Sequence, residues 1–235
     1  MTIREFCSRN WEDKTVSHKS IVEERICSKE FSYLQPYFYK NPYALRCELG
    51  IGDSDEEYMD NARKRALEIY DILFPEGADC ILFDHWIYDY CLSGEPEEDE
   101  NYDAIIDDRI YDLSENLRFL SLMQGKYRHF TVRDLETYYA PEDPERERCR
   151  RNRVICYSDG KGFDHKELIQ DEIEWERYGV SFVSFRNECI LSVYDDRGCD
   201  VAFMTHEKMA EFYGKLEPYF LDYDREEMQR RLTEG

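Results

Sequence analysis

The chain is short of the groups from which familiar active sites are built. Its 235 residues include only five histidines, and its nine cysteines (Cys7, Cys27, Cys47, Cys80, Cys91, Cys149, Cys156, Cys189 and Cys199) contain no Cys-x-x-Cys pair. No zinc-ligand spacing, G-x-S-x-G, H-E-x-x-H or P-loop pattern occurs, which argues against a familiar enzyme and leaves no cofactor or metal to expect. An odd number of scattered cysteines reads as reduced thiols, several of them small hydrophobes inside strand patterns. No apolar run approaches the roughly 18 residues that a membrane span needs, and Met1 to Asn10 is mixed and polar. The expectation is a cytoplasmic protein that does not enter a membrane.

Positive charge is also in short supply. Thirty-one Lys plus Arg stand against 53 Asp plus Glu, a formal net charge of −22. Such a chain repels polyanions, so nucleic acid is a disfavoured partner. Mean hydropathy is only −0.77, a combination with high charge that leans toward disorder. The 19 Tyr, 13 Phe and 3 Trp oppose it, because side chains this large supply core area out of proportion to their number.

The acidic excess is uneven. Residues 1–50 carry 8 basic and 7 acidic groups, residues 51–120 carry 5 and 21, and residues 121–235 carry 18 and 25. The densest run is Glu95, Glu97, Glu98, Asp99, Glu100, Asp103, Asp107, Asp108 and Asp112. It is either a solvated loop leading into a helix, whose first turn favours carboxylates, or a face that meets a basic partner. Arg146, Arg148, Arg150, Arg151 and Arg153 form the opposite cluster, which is expected to pair with the chain's own carboxylates.

The element pattern points to an α/β (α+β) fold. Tyr43–Leu49 is a strand, Ser54 and Glu57 make a capping box for a helix through Leu73, and Asp79–Tyr88 is an aromatic strand. If the two strands share a parallel sheet, their crossover should be right-handed. A helix near Asp103–Met123, strands at Tyr127–Arg133 and Arg153–Ser158, and a helix at His165–Tyr178 follow. Ser181–Arg186, Cys189–Tyr194 and Cys199–Phe203 then form an antiparallel three-strand meander, its turns using Asn187, which tolerates positive φ, and Asp195–Gly198. Thr205 caps one helix, and Asp224 with Glu227 boxes a last one. The whole reads as a mixed sheet in a single domain over 1–235, with an acidic insertion near 92–112 and an arginine-rich connection near 141–153.

Two stretches carry a resemblance. Tyr43–Gly50 (YALRCELG) with the capped helix ending in Leu73-Phe74, and Tyr194–Phe203 (YDDRGCDVAF) followed by Phe212–Met228, resemble a bacterial domain-of-unknown-function family, DUF 3885. The likeness covers most of 43–232 and is weakest between about 92 and 160. Its motif positions are Arg46, Glu48, Gly50, Tyr194, Asp195, Asp196, Arg197, Gly198 and Asp200, with Cys47 standing where the family tends to an aromatic and Cys199 where Met is usual. The resemblance implies a small α/β protein without an established role. Some members are labelled prophage DNA-binding proteins, and others resemble the acidic immunity proteins encoded beside secreted toxins.

Among possible sites, Asp195, Asp196 and Asp200 could hold a hard divalent cation for a metal-dependent hydrolase. The geometry of a tight turn accounts for the same residues, with Arg197 neutralising them, and this scaffold reading is preferred. Gly50-Ile51-Gly52 lacks the third glycine of a dinucleotide loop, and Asp53, Asp55, Glu56 and Glu57 would repel a pyrophosphate. Asp84 and His85 alternate across a strand and cannot form a dyad. Cys149 lies among arginines without a base beside it. The functional expectation is therefore a protein-binding module of immunity or inhibitor type, acting through its acidic face on a basic partner such as a toxin or nuclease.

Overall fold

A computed structural model describes residues 36–90, 130–133, 149–159, 164–175 and 179–234, with side chains for 36–82, 164–174 and 179–234. The expected helix at Asp103–Met123 and the acidic run from Glu95 to Asp112 lie outside these residues, as do the Asp159–Gly162 turn beyond Asp159 and the side chains of Asp84, His85 and Cys149. The chain divides into two compact units, Thr15–Phe83 with Tyr157–Gly235, and Met1–Lys14 with Asp84–Cys156. Within the second, β3 (Phe130–Arg133) pairs antiparallel with the Arg153–Cys156 part of β4 (Cys149–Asp159). β4 starts four residues before the expected strand and runs through the end of the arginine cluster.

In the first unit, the single turn α1 (Tyr37–Lys40) leads into β1 (Ala44–Glu48), α2 (Asp55–Leu73) and the Cys80–Phe83 part of β2 (Cys80–Tyr90). The helix α3 (His165–Trp175), the strands β5 (Val180–Ser184), β6 (Cys189–Val193) and β7 (Gly198–Phe203), and the helices α4 (His206–Leu216) and α5 (Arg225–Glu234) complete it. The strand order is β1-β7-β6-β5-β2, and each pairing is antiparallel. β1 and β2 thus run in the same direction without touching: the meander from the far end of the chain is threaded between them. A meander joined by short turns makes its own antiparallel ladders, whereas the long connection through α2 can step across three strands.

Local chemistry sets the boundaries. The Ser54 hydroxyl accepts from the Glu57 amide at 3.2 Å, and the Glu57 carboxylate returns to the Asp53 amide at 3.2 Å, so the box closes one residue outside the cap. Thr205 accepts from the Lys208 amide at 3.3 Å, as expected of a cap. At the β5–β6 turn the left-handed residue is Glu188, with φ of 49°, not Asn187. Asn187 is held instead by its side chain, which donates to the Leu73 carbonyl at 2.7 Å and so ties the turn to the end of α2.

One face of the sheet is an apolar row spanning all five strands, Leu45–Val201–Leu191–Phe182–Ile81, and every member is buried. Helices cover it. Tyr70 of α2 and Phe74 just past its end meet Phe182 at 5.0 and 6.2 Å between ring centroids, His165 of α3 stacks on Tyr70 at 4.2 Å, and Phe212 of α4 stacks on Phe203 at 5.6 Å. The opposite face has a polar row, Arg46–Asp200–Ser192–Ser181, ending on Leu82. Asp200, Ser192 and Ser181 are buried and Arg46 is half-buried, and Tyr37 of α1 meets Ser181 with 3.1 Å between their hydroxyl oxygens. Buried hydroxyls and carboxylates need such partners, so this row demands a specific cover where the apolar row needs only bulk. Among the described residues no helix is long and apolar enough to cross a membrane.

Candidate functional site

The register of β1 and β7 places Arg46 opposite Asp200, Cys47 opposite Cys199, and Glu48 opposite Gly198. Two fragments 150 residues apart in sequence thereby become one surface. The Leu49 amide donates to the Arg197 carbonyl at 2.9 Å and the Phe203 amide to the Tyr43 carbonyl at 2.8 Å. Odd-numbered pairs are therefore the hydrogen-bonded ones, and Arg46 faces Asp200 in a non-bonded pair, where side chains approach closest.

Arg46 donates from Nε to Asp200 Oδ1 at 3.0 Å and from Nη1 to Tyr39 Oη at 2.9 Å and Asp224 Oδ2 at 3.5 Å. Its guanidinium carbon lies 4.7 Å from the ring centroids of both Phe38 and Tyr39, and 5.9 Å from that of Tyr194. Asp200 is 1% exposed, and its second oxygen accepts from the Phe38 amide at 3.0 Å. Burial works against the arginine's charge, but the bonds to Asp200 and Tyr39 more than offset it, and its pKa is raised. Burial, then the nearby Asp200 charge, likewise raises the Tyr194 hydroxyl.

Backbone contacts fix the same centre. The Arg46 amide donates to Met228 Sδ at 3.2 Å and the Leu221 amide to the Arg46 carbonyl at 3.1 Å, so the outer edge of β1 is covered by the chain's C-terminal region. Arg231 of α5 donates to the carbonyls of Phe38, Asn41 and Ala44 at 2.8, 3.2 and 3.4 Å, with its guanidinium over the Phe38 ring at 4.2 Å. The residues expected to box α5 are used otherwise: Asp224 turns to Arg46, and Glu227 binds Arg230 and Arg231 at 2.8 and 2.7 Å.

The Asp195–Gly198 turn is a separate cluster. Asp195 is buried and accepts the Arg197 amide at 2.8 Å and Arg197 Nε at 2.7 Å, with a second guanidinium contact from Nη2. The carboxylate thus closes an Asx turn and receives a charge partner at once. Asp195 and Asp200 are each engaged by a different arginine, and among the described residues no group of three His, Cys, Asp or Glu side chains could hold a metal ion. The Glu48 carbonyl accepts from Arg65 Nε at 2.9 Å. Two glycines of the motif are there for space. A Cβ on Gly198 would stand 2.3 Å from Tyr194 Oη and 2.7 Å from the Cys47 carbonyl oxygen, and one on Gly50 would fall 2.0 Å from the Tyr58 ring.

Arg46, Tyr194 and Asp200 of the motif are thus brought together as an anchor for the edge of the sheet, and four partners absent from the motif complete it: Phe38, Tyr39, Asp224 and Arg231. Only the register and the closure of α5 reveal them. Cys189 and Cys199 are not activated thiols. Burial pushes Cys189 up, and the hydrogen bond to Cys47 together with burial does the same to Cys199, so both stay protonated at neutral pH.

A family model described as a domain of unknown function (DUF3885) matches residues 24–224. The chain matches none of the curated proteins and none of the solved structures with which it was compared.

Proposed function

The chain belongs to the DUF3885 family, and from that premise we propose that it is a non-enzymatic protein-binding module of immunity or inhibitor type, whose acidic face meets a basic partner such as a toxin or nuclease. The observation that carries this reading is the distribution of charge. Even if every Lys and Arg paired with a carboxylate, 22 negative charges would remain, and the segment 51–120 alone carries 21 acidic against 5 basic groups. In the described residues, the buried carboxylates Asp195, Asp200 and Asp224 have arginine partners, and buried Glu172 accepts from the Gly179 amide. An acidic excess that meets solvent raises the encounter rate with a basic surface and rejects polyanions.

The test is association of the purified chain with the purified products of adjacent genes, measured at low and high salt. A basic partner should bind, more weakly and with slower association as salt rises. Reversing charge with Glu97→Lys, Glu98→Lys and Glu100→Lys should slow association at least tenfold. Salt-independent binding, or a triple variant that binds like the parent, would remove the proposal.

A further inference from the structure

Cys47 and Cys199 are direct partners across the β1–β7 ladder. Both are free thiols and both are fully buried. They lie on the helix-covered face, in register with one another, and the Cys47 thiol helps to raise that of Cys199. The flanking bonds from the Leu49 and Phe203 amides make theirs a hydrogen-bonded pair, for which the Cα atoms stand about 5.5 Å apart. That separation is the commonest one found across disulfides. The other two described thiols have no such opposite number, since Cys80 faces Val183, and Cys189 faces Phe203 and Ser184.

From this geometry we infer that Cys47 and Cys199 form a redox-modification site, closing into a cross-strand disulfide when a peroxide-class oxidant reaches them. One thiol, ionised on exposure, attacks a peroxide oxygen to give a sulfenic acid and release water. The second thiol then displaces the sulfenic oxygen as a second water, so two thiols and one hydrogen peroxide become one disulfide and two waters. The bond staples the edge strand that carries Arg46 to the strand that carries Asp200, and it closes a chain loop from position 47 to position 199. Cβ atoms facing across a ladder stand about 4.5–5.5 Å apart, against 3.5–4.5 Å in disulfides, so closure draws the strands together by on the order of 1 Å. Such a bond is open to reduction by thiols, which makes the staple reversible. Burial of both sulfurs sets the kinetics: the reaction waits for β1 to lift from β7 and speeds up under mild denaturant. This inference is independent of the proposed partner.

The experiment treats the full native chain with hydrogen peroxide, with and without low urea, followed by alkylation of remaining thiols and non-reducing peptide mapping. The expected result is a linked peptide pair containing Cys47 and Cys199, formed faster in low urea, absent in Cys199→Ala and lost on adding dithiothreitol. The oxidised chain should melt at least about 5 °C higher than the reduced one, because the crosslink restricts the unfolded state. Cys80 and Cys189 are internal controls and should remain unlinked. Recovery of Cys47 and Cys199 as alkylated thiols after the chain's other cysteines have been oxidised would overturn the inference, as would linkage of either to a different cysteine. The mapping uses the unmodified chain, so a variant that fails to fold does not leave the question open.

Discussion

Replacing Arg46 by Met removes the charge at the centre of the anchor and keeps an apolar side chain of similar length. Asp200 is then left 1% exposed with the Phe38 amide as its remaining described donor, and Asp224 loses its contact as well. Breaking a buried pair by removing one partner costs about 3–5 kcal/mol, because the surviving charge stays out of water. The rings of Phe38 and Tyr39, each 4.7 Å from the guanidinium carbon, lose a cation worth about 0.5–1 kcal/mol apiece. Met returns part of that as packing, so the loss remains about 3–5 kcal/mol, or roughly 6–20 °C in Tm for a chain of this size. The second half of the prediction isolates the cause. Adding Asp200→Asn neutralises the stranded charge while its amide oxygen still accepts from Phe38, so the double variant should be more stable than Arg46→Met alone by at least about 1 kcal/mol. Urea unfolding followed by far-UV circular dichroism measures both. A loss below about 1 kcal/mol for Arg46→Met, or a double variant that loses the sum of the two single changes, would refute the reasoning.

Gly198→Ala places a methyl against Tyr194 and the Cys47 carbonyl and should cost about 1–3 kcal/mol as overpacking, read as a fall in Tm. Arg231→Met takes the guanidinium from the Phe38 ring and strands three carbonyl acceptors; a loss of about 1.5–3 kcal/mol is expected, with faster amide exchange at residues 38–45. Glu227 is held down at about 2 against an ordinary 4.5 by Arg230 and Arg231. A depressed carboxylate stabilises the fold above its unfolded value and loses that contribution as pH falls from 4.5 through 2, so the urea midpoint should drop over this window and drop less in Glu227→Gln. At the alkaline end Tyr194, Cys189 and Cys199 bind their protons more tightly when folded. Their contribution is complete below the unfolded thiol value near 9.0 and fades as pH rises above it, visible as a falling urea midpoint. Because the carboxylates of Asp195 and Asp200 already hold arginines, Mg²⁺ or Ca²⁺ at millimolar concentration should leave Tm unchanged; a rise would show a cation site.

Local rules accounted for much of the fold. The helix from Asp55 to Leu73 follows from its spacing and from Ser54 and Glu57, and the meander from alternation and turn residues, because these signals act over a few neighbouring residues. Where a side chain could choose a distant partner, the local reading gave way. Asp224 could box α5 from its position in sequence, yet it serves Arg46, and Asn187 tolerates positive φ, yet Glu188 adopts it while Asn187 reaches Leu73. A buried donor or acceptor weighs more than a cap open to water, so the longer-range partner prevails.

The sequence alone determined the acidic balance, its concentration between residues 51 and 120, the elements of the C-terminal half and the motif residues from Arg46 to Asp200. How they combine is set by the pairing of distant strands. Ladder register is a property of two strands and not of either one, and it takes β7 next to β1 for Arg46 to find Asp200 and Cys47 to find Cys199. The placing of the meander between β1 and β2 is equally invisible in the chain, because it depends on which strand edges remain open once α2 has crossed the sheet.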